Sequence, residues 1–177
     1  YFNVSHAKNM AHRMADGEIV CNMDADQYTG KDFAHYIAKQ FDQAKAVGKH
    51  IFLRHSPFEI AQNKHLTDSL GKIALLKSDF EALHGYDEKF QVWNGEDRDL
   101  MARMTLHRMK HMAIPLTWAN GIAHSDELRL AMRDEASKAQ GRRIMAVRNA
   151  ETTPLRRLAG KAQRFGTDLV RAAIFQT

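Results

Sequence analysis

The chain has 177 residues, one cysteine and a net charge of +5, from 26 Lys and Arg against 21 Asp and Glu. This length fits a single domain that buries a real core without staples, and the lone Cys21 excludes an internal disulfide framework. No stretch of about 18 apolar residues occurs, so nothing in the sequence reads as a membrane span. The charge is unevenly spread: residues 142–177 hold eight Lys or Arg against Glu151 and Asp168, which is +6 and leaves −1 for residues 1–141. The expected division is therefore a near-neutral body, 1–141, and a basic helical extension, 142–177. An extension of this kind meets nucleic acid, anionic lipid or an acidic partner, or it is simply a solvated helix face. The expected location is cytoplasmic. Because the chain starts at Tyr1, an upstream targeting signal stays open.

In chain order, Ser5 is placed to cap a helix with Ala7, Met10, Ala11 and Met14 on one face, ended by Gly17. Residues 19–23 form a short apolar run bounded by turn signals, which predicts a buried strand. Thr29 and Gly30 open a second helix with Phe33, Ile37, Phe41 and Ala44 at helical spacing, stopped at Gly48. "HIFLRH" (50–55) is the next strand, and the strand, helix, strand order predicts an α/β sheet with helices packed on it. Residues 56–70 are irregular and polar and are expected to form a long loop over the site. "KIALLK" (72–77) reads as a strand. "SDFEALHG" (78–85) reads as a short helix, with Ser78 and Glu81 at capping-box spacing and Gly85 at the C′ position. An acidic cluster, Glu96, Asp97 and Asp99, then precedes an amphipathic helix bearing Leu100 and Met104, where it complements the helix dipole. "HMAIPLTW" (111–118) is the last strand candidate.

Asp24 and Asp26 end the first predicted strand. Ligands of α/β sheets bind beyond the carboxyl ends of strands, so this pair is placed to hold a divalent cation through oxygen ligands, with Mg²⁺ or Mn²⁺ the natural candidates. A solvated turn is the plainer reading of Asp-x-Asp alone.

Three segments, spanning about residues 2–128, together resemble GT-A glycosyltransferases, in particular β-1,4-galactosyltransferase-like and related family-2 enzymes. "FNVSHAKNMAHRMADGEIVCNMDAD" is similar to the helix and strand that lead into the family's metal motif. "GKIALLKSDFEALHGYDEKFQVWNGEDRDLMARM" resembles the later half of the catalytic domain, with its Gly-Tyr-Asp-Glu turn and Trp-Gly-Gly-Glu-Asp-type motif. "NGIAHSDE" (120–127) resembles the segment that returns a histidine to the metal. The resemblance implies a GT-A-like mixed sheet flanked by helices, without the family's opening nucleotide-binding strands.

It also implies a metal-dependent, inverting transfer from a nucleotide sugar, most simply a UDP-sugar, to a saccharide or glycolipid acceptor. Asp26, Asp24 and His124 become metal ligands, with Asp24 also reaching the donor's ribose and diphosphate. Asp97 becomes the general base, Glu96 orients the acceptor beside it, and Trp93 with Gly95 completes the acceptor site. Two departures from the family pattern bear on the acceptor: Asn94 stands in place of a glycine, and Arg98 replaces an acidic acceptor-binding residue. Gly121 stands where some of these enzymes carry a methionine ligand.

Two rivals differ in class. A haloacid-dehalogenase-type phosphatase also carries Asp-x-Asp after a buried strand, but its usual Thr is Tyr28 here, and the Glu-Asp motif is left unexplained. A non-catalytic sugar- or nucleic-acid-binding module would use the basic extension, whose only aromatics are Phe165 and Phe175, too few for base stacking, so no nucleic-acid partner is expected. Taken singly, His124 is more often a surface histidine and Trp93 a packing residue. Residues 154–177 have the pattern of a basic amphipathic helix, suited either to peripheral membrane contact or to packing on the body.

Overall fold

The computed structural model describes residues 3–90 and 95–122. Four strands, β1 (Ile19–Asn22), β3 (Ile51–His55), β4 (Ile73–Leu76) and β5 (Lys110–Ile114), form one sheet in the order β1-β4-β3-β5. β4 runs antiparallel to β1 and β3, and β5 runs parallel to β3, so the sheet is mixed. Asn22 and Arg54 both pair with Ile73, which puts the carboxyl ends of β1, β3 and β5 at the end where β4 begins. A separate two-stranded ribbon joins β2 (Gln27–Tyr28) to β6 (Asn120–Gly121) at that end.

Period-2 alternation gives the sheet two apolar faces. Val20, Phe52, Ile73 and Leu75 face Phe80 of α4 (Lys77–Ala82), Tyr86, and Leu100 and Met104 of α5 (Glu96–Leu106). Ile51, Leu53, Ala74 and Ile114 face Phe33, Ile37, Phe41 and Ala44 of α2 (Phe33–Ala46), the stripe that helical spacing predicts. Among the described residues no helix is long and apolar enough to cross a membrane.

Several boundaries differ from expectation. Asn3, not Ser5, caps α1 (Val4–Met14) by accepting from the His6 amide. The predicted apolar face of α1 is not its buried face: Met14 and Ala11 are exposed, while Ser5, Asn9 and His12 are buried. The segment expected as a long loop is instead α3 (Pro57–Gln62) followed by a 3₁₀ helix, Lys64–Gly71. Ser56 caps α3 through the Glu59 amide, and Pro57 occupies its first turn, where the missing N–H costs nothing. α4 begins at Lys77 without a side-chain cap, so Ser78 and Glu81 make no capping box. His84 rather than Gly85 takes the C′ position, and both are left-handed, at φ 59° and 57°. The amides of Gly85 and His84 close back on the Phe80 and Glu81 carbonyls at 2.8 and 3.0 Å, the Schellman pattern. α2 starts at Phe33 rather than at Thr29, because residues 27–28 are taken up by the ribbon. Pro115 ends β5, and Leu116–Trp118 is 3₁₀ rather than strand.

α5 is fixed by a buried ion pair. Arg103 donates to Asp99 at 2.9 Å through Nε, and its Nη1 and Nη2 reach the Leu83 and Gly85 carbonyls at 2.7 Å. One guanidinium thereby ties α5 to the turn after α4. Removing one partner of such a pair strands a buried charge, so Arg103→Met should lower stability by about 3–5 kcal/mol in urea denaturation. Adding Asp99→Leu should recover part of that loss. A single-variant change under about 1 kcal/mol would show that the pair does not hold α5.

Candidate active site

The site is built where α1, α5 and the carboxyl end of β1 meet. Gly95 adopts φ 108° as it turns the chain into α5, a conformation side chains resist. Glu96 and Asp97 follow in the first turn, where the helix dipole favours negative charge. Lys8 of α1 reaches across to both, with Nζ 3.0 Å from Glu96 Oε1 and 2.9 Å from Asp97 Oδ1. The same ammonium lies 5.0 Å from the centre of the Tyr86 ring, a cation–π contact.

One cation is thus shared by two carboxylates. Burial, then the charges of Glu96 and Asp24, push the Asp97 carboxyl up to about 6, against the pull of Lys8. Burial works against the Lys8 charge, but Asp97 and Glu96 outweigh it, and the Lys8 pKa is raised. Tyr86, fully buried, has its hydroxyl pushed well above its usual range by burial and by the carboxylates around it.

Lys8 is aimed by the polar face of α1. Asn9 Nδ2 donates to the Tyr86 carbonyl at 2.8 Å and to Glu88 Oε1 at 2.9 Å, while Asn9 Oδ1 accepts from the Tyr86 amide at 2.8 Å. Ser5 Oγ donates to the Phe90 carbonyl, and the His12 ring stacks on Phe80 at 4.6 Å. Buried polar groups paired in this way lock the helix to the 86–90 turn.

Asp24 and Asp26 lie in the turn between β1 and β2, both half-buried. The Gln27 amide closes the turn on the Asp24 carbonyl at 3.0 Å. Asn22 Nδ2 holds the Gly71 carbonyl at 2.9 Å, and a Cβ on Gly71 would overlap the Asp24 carboxylate. Glycine at 71 is thus the cradle in which that carboxylate sits. Burial raises the Asp24 pKa, reinforced by Asp26 and Glu96 and opposed by Lys8 and Lys72. The Ile122 amide donates to the Asp26 carbonyl at 2.7 Å, bringing residue 122 back to this turn.

Asp24, Glu96 and Asp97 therefore share one electrostatic neighbourhood, with Gly95 beside it. Trp93, Asn94 and His124, and all of residues 142–177, lie outside the described residues. Among the described residues no three His, Cys, Asp or Glu side chains form a group that could hold an ion. Asp24 and Asp26 are the residues of this turn whose carboxylate oxygens are of the chemical type that a hard divalent cation takes. Sequence reasoning missed Lys8, Arg54 and Lys72. Arg54 and Lys72 sit at the carboxyl end of β3 and just before β4, buried at 7 % and 0 % exposure, an unusual state for such residues.

Residues 52–125 match the family model for the N-terminal domain of galactosyltransferase. The matched stretch covers β3 through β6, including Glu96 and Asp97, and the mixed sheet flanked by helices fits a GT-A-like fold. It supports a glycosyltransferase, with a nucleotide-sugar donor and an acceptor as its general partners. No curated protein and no solved structure matches the chain significantly.

A carboxyl-detected NMR titration should place the Asp97 midpoint near 6, and Lys8→Met should move it higher, since Lys8 opposes the rise. The folded protein then holds a proton that the unfolded chain, with an ordinary value near 3.8, has released. The contribution of this group to stability therefore falls as pH rises from about 4 to about 6. A midpoint below 4.5, or one unmoved by the Lys8 substitution, would contradict this account of the site.

Proposed function

We propose that the protein is a divalent-metal-dependent, inverting glycosyltransferase that moves a sugar from a UDP-sugar to a saccharide or glycolipid acceptor. The observation that carries this reading is Asp97, a carboxylate held by Lys8 in the electrostatic neighbourhood of Asp24, within the stretch matched by the galactosyltransferase model. A carboxyl raised to about 6 is ionised at neutral pH yet basic enough to take a proton in the transition state. Lys8 occupies Oδ1, and Oδ2 has no hydrogen-bond partner among the described residues. Oδ2 receives the acceptor hydroxyl's proton as the acceptor oxygen bonds to the anomeric carbon and the bond from that carbon to the diphosphate breaks. Glu96, held by the same ammonium, orients the acceptor, with Gly95 and Trp93 forming the rest of its seat.

Asp24 and Asp26 would hold Mn²⁺ or Mg²⁺, with His124 the third ligand implied by the family resemblance. Bound there, the ion would offset the charge developing on the departing diphosphate. The hydrogen bond from Ile122 to Asp26 supports this set, since His124 follows two residues later. The site's surplus of carboxylates supports it as well, because a divalent cation relieves their mutual repulsion. Residues 154–177 suit contact with an anionic membrane if the acceptor is lipid-linked.

Calorimetry with UDP should show binding that depends on Mn²⁺ and is abolished by Asp26→Ala; metal-independent binding would remove the cation from the reading. Asp97→Asn should lower sugar transfer by about 10²- to 10⁴-fold, while its melting temperature at pH 7 to 8 stays the same or rises. Wild-type transfer should fall as pH drops through about 6, when Asp97 takes up its proton. Full transfer by Asp97→Asn would send the search for the base to Glu96. Hydrolysis of a generic phosphate ester in place of the UDP-sugar would favour the phosphatase alternative.

A further inference from the structure

Lys72 is fully buried, a rare state for a lysine, and it has no part in the chemistry above. It stands just before β4, two residues ahead of Ala74 and hence on the sheet face that packs against α2. Its ammonium donates to the Trp118 carbonyl at 2.5 Å and lies 5.6 Å from the centre of the Phe33 ring. A lysine headgroup has only donors, so a carbonyl and an aromatic face are the kinds of partner that burial demands of it. The Trp118 ring packs in turn on Phe33 and Tyr36 of α2, with centroids 6.0 and 4.5 Å away. Trp118 is thereby held to the helix by its ring and to the sheet by its carbonyl.

From that carbonyl the chain runs directly to the turn that carries the aspartate pair. Asn120 and Gly121 of β6 pair with Tyr28 and Gln27 of β2. The next amide, Ile122, donates to the Asp26 carbonyl at 2.7 Å. Lys72 and Asp26 are therefore joined through the short backbone run from Trp118 to Ile122. The residue before Lys72 seats the other aspartate: Gly71 leaves the space that the Asp24 carboxylate fills, and Asn22 holds the Gly71 carbonyl at 2.9 Å. Two consecutive residues thus address the two aspartates, Gly71 by direct contact and Lys72 through the ribbon.

We propose that Lys72 is a positioning residue for the cation site, fixing Asp26 relative to Asp24 through the Trp118 carbonyl and the β2–β6 ribbon. This inference rests on the reading of Asp24 and Asp26 as ligands of a divalent cation. Such a cation needs its oxygen ligands at a set spacing, so a carboxylate carried on a loosened ribbon loses affinity even though its own chemistry is intact.

Binding of Mn²⁺ to the full chain, without UDP, is read from the EPR signal of the free ion. Hydrogen exchange of the metal-free protein is read by NMR at the amides of Ile122 and Lys77. The Lys77 amide bonds to the Glu18 carbonyl at 2.8 Å at the end of the β1–β4 pair, and it serves as the control for the sheet. Lys72→Met keeps the length of the stem and removes the donors. It should weaken Mn²⁺ binding by about 10- to 100-fold, the scale of lost support behind a metal ligand. Exchange protection of Ile122 should fall by about tenfold, the scale of one hydrogen bond, while that of Lys77 is unchanged. Lys72→Gln, a shorter donor, should show smaller losses of the same kind, and it carries the test if Lys72→Met does not fold. Unchanged Mn²⁺ affinity or unchanged Ile122 protection in a folded variant overturns the proposal, as does an equal loss at Lys77, which would make Lys72 a general support of the fold. A wild-type chain that binds no Mn²⁺ refutes the cation reading instead, and the Ile122 amide still decides whether Lys72 fixes the Asp26 turn.

Discussion

The ammonium of Lys8 between Glu96 and Asp97 is the contact on which the rest of the site depends. The two carboxylates are adjacent on one helical turn, and Asp24 adds a third negative charge to the same neighbourhood. Placing such groups together out of water is unfavourable unless a cation is held among them. The helix dipole of α5 contributes only part of that, typically less than 1 kcal/mol for each exposed charge. Lys8 offsets a further part of it from a different element, though the Asp97 carboxyl is still raised to about 6. The position of α1 against the 86–90 turn is therefore a requirement of this charge arrangement as well as of the packing.

That requirement explains why α1 buries a polar face. An apolar helix stripe can slide or rotate by a fraction of a turn at modest cost, because the hydrophobic effect has no direction. Asn9, which both donates to and accepts from the backbone of Tyr86, permits no such shift. Ser5 and Asn3 add bonds to the carbonyls of Phe90 and Glu88, so the helix is held along its length by directional contacts. The consequence is that Lys8 Nζ arrives within 3.0 Å of both carboxylates.

The same distinction decides what could be read from the sequence. The strands around Val20, Leu53 and Leu75 and the stripe Phe33, Ile37, Phe41, Ala44 were legible, because apolar burial leaves a period of two or of about four residues. The residues that seat α1 have no such period. The apolar positions Ala7, Met10, Ala11 and Met14 therefore suggested a buried face where the protein has a half-exposed one. Residues 56–70 were misread for a related reason: α3 and its 3₁₀ continuation are too short and polar to show periodicity. Only the Ser56-Pro57 start and Glu59 mark them. Asp24, Asp26, Glu96 and Asp97 could be found from motif order, but Lys8, Arg54 and Lys72 could not. Nothing local in a sequence shows that a lysine or arginine will be buried beside a carboxylate from a distant segment.

Gly71 shows how closely the sheet and the site are joined. It precedes β4, and its carbonyl is held by Asn22 at the end of β1, so the pairing of β1 with β4 sets where residue 71 stands. Arg54 grips the neighbouring Leu70 carbonyl from β3, on the other side of β4. Two side chains from the flanking strands thus fix consecutive carbonyls, and the Asp24 carboxylate rests in the space left by the missing Cβ. A larger residue at 71 could be accommodated only by moving Asp24 or by releasing the bonds from Asn22 and Arg54. The position of the carboxylate is therefore set by the strand register itself, the part of the fold least able to yield, while the neighbouring acidic groups are set by a single lysine from a separately anchored helix.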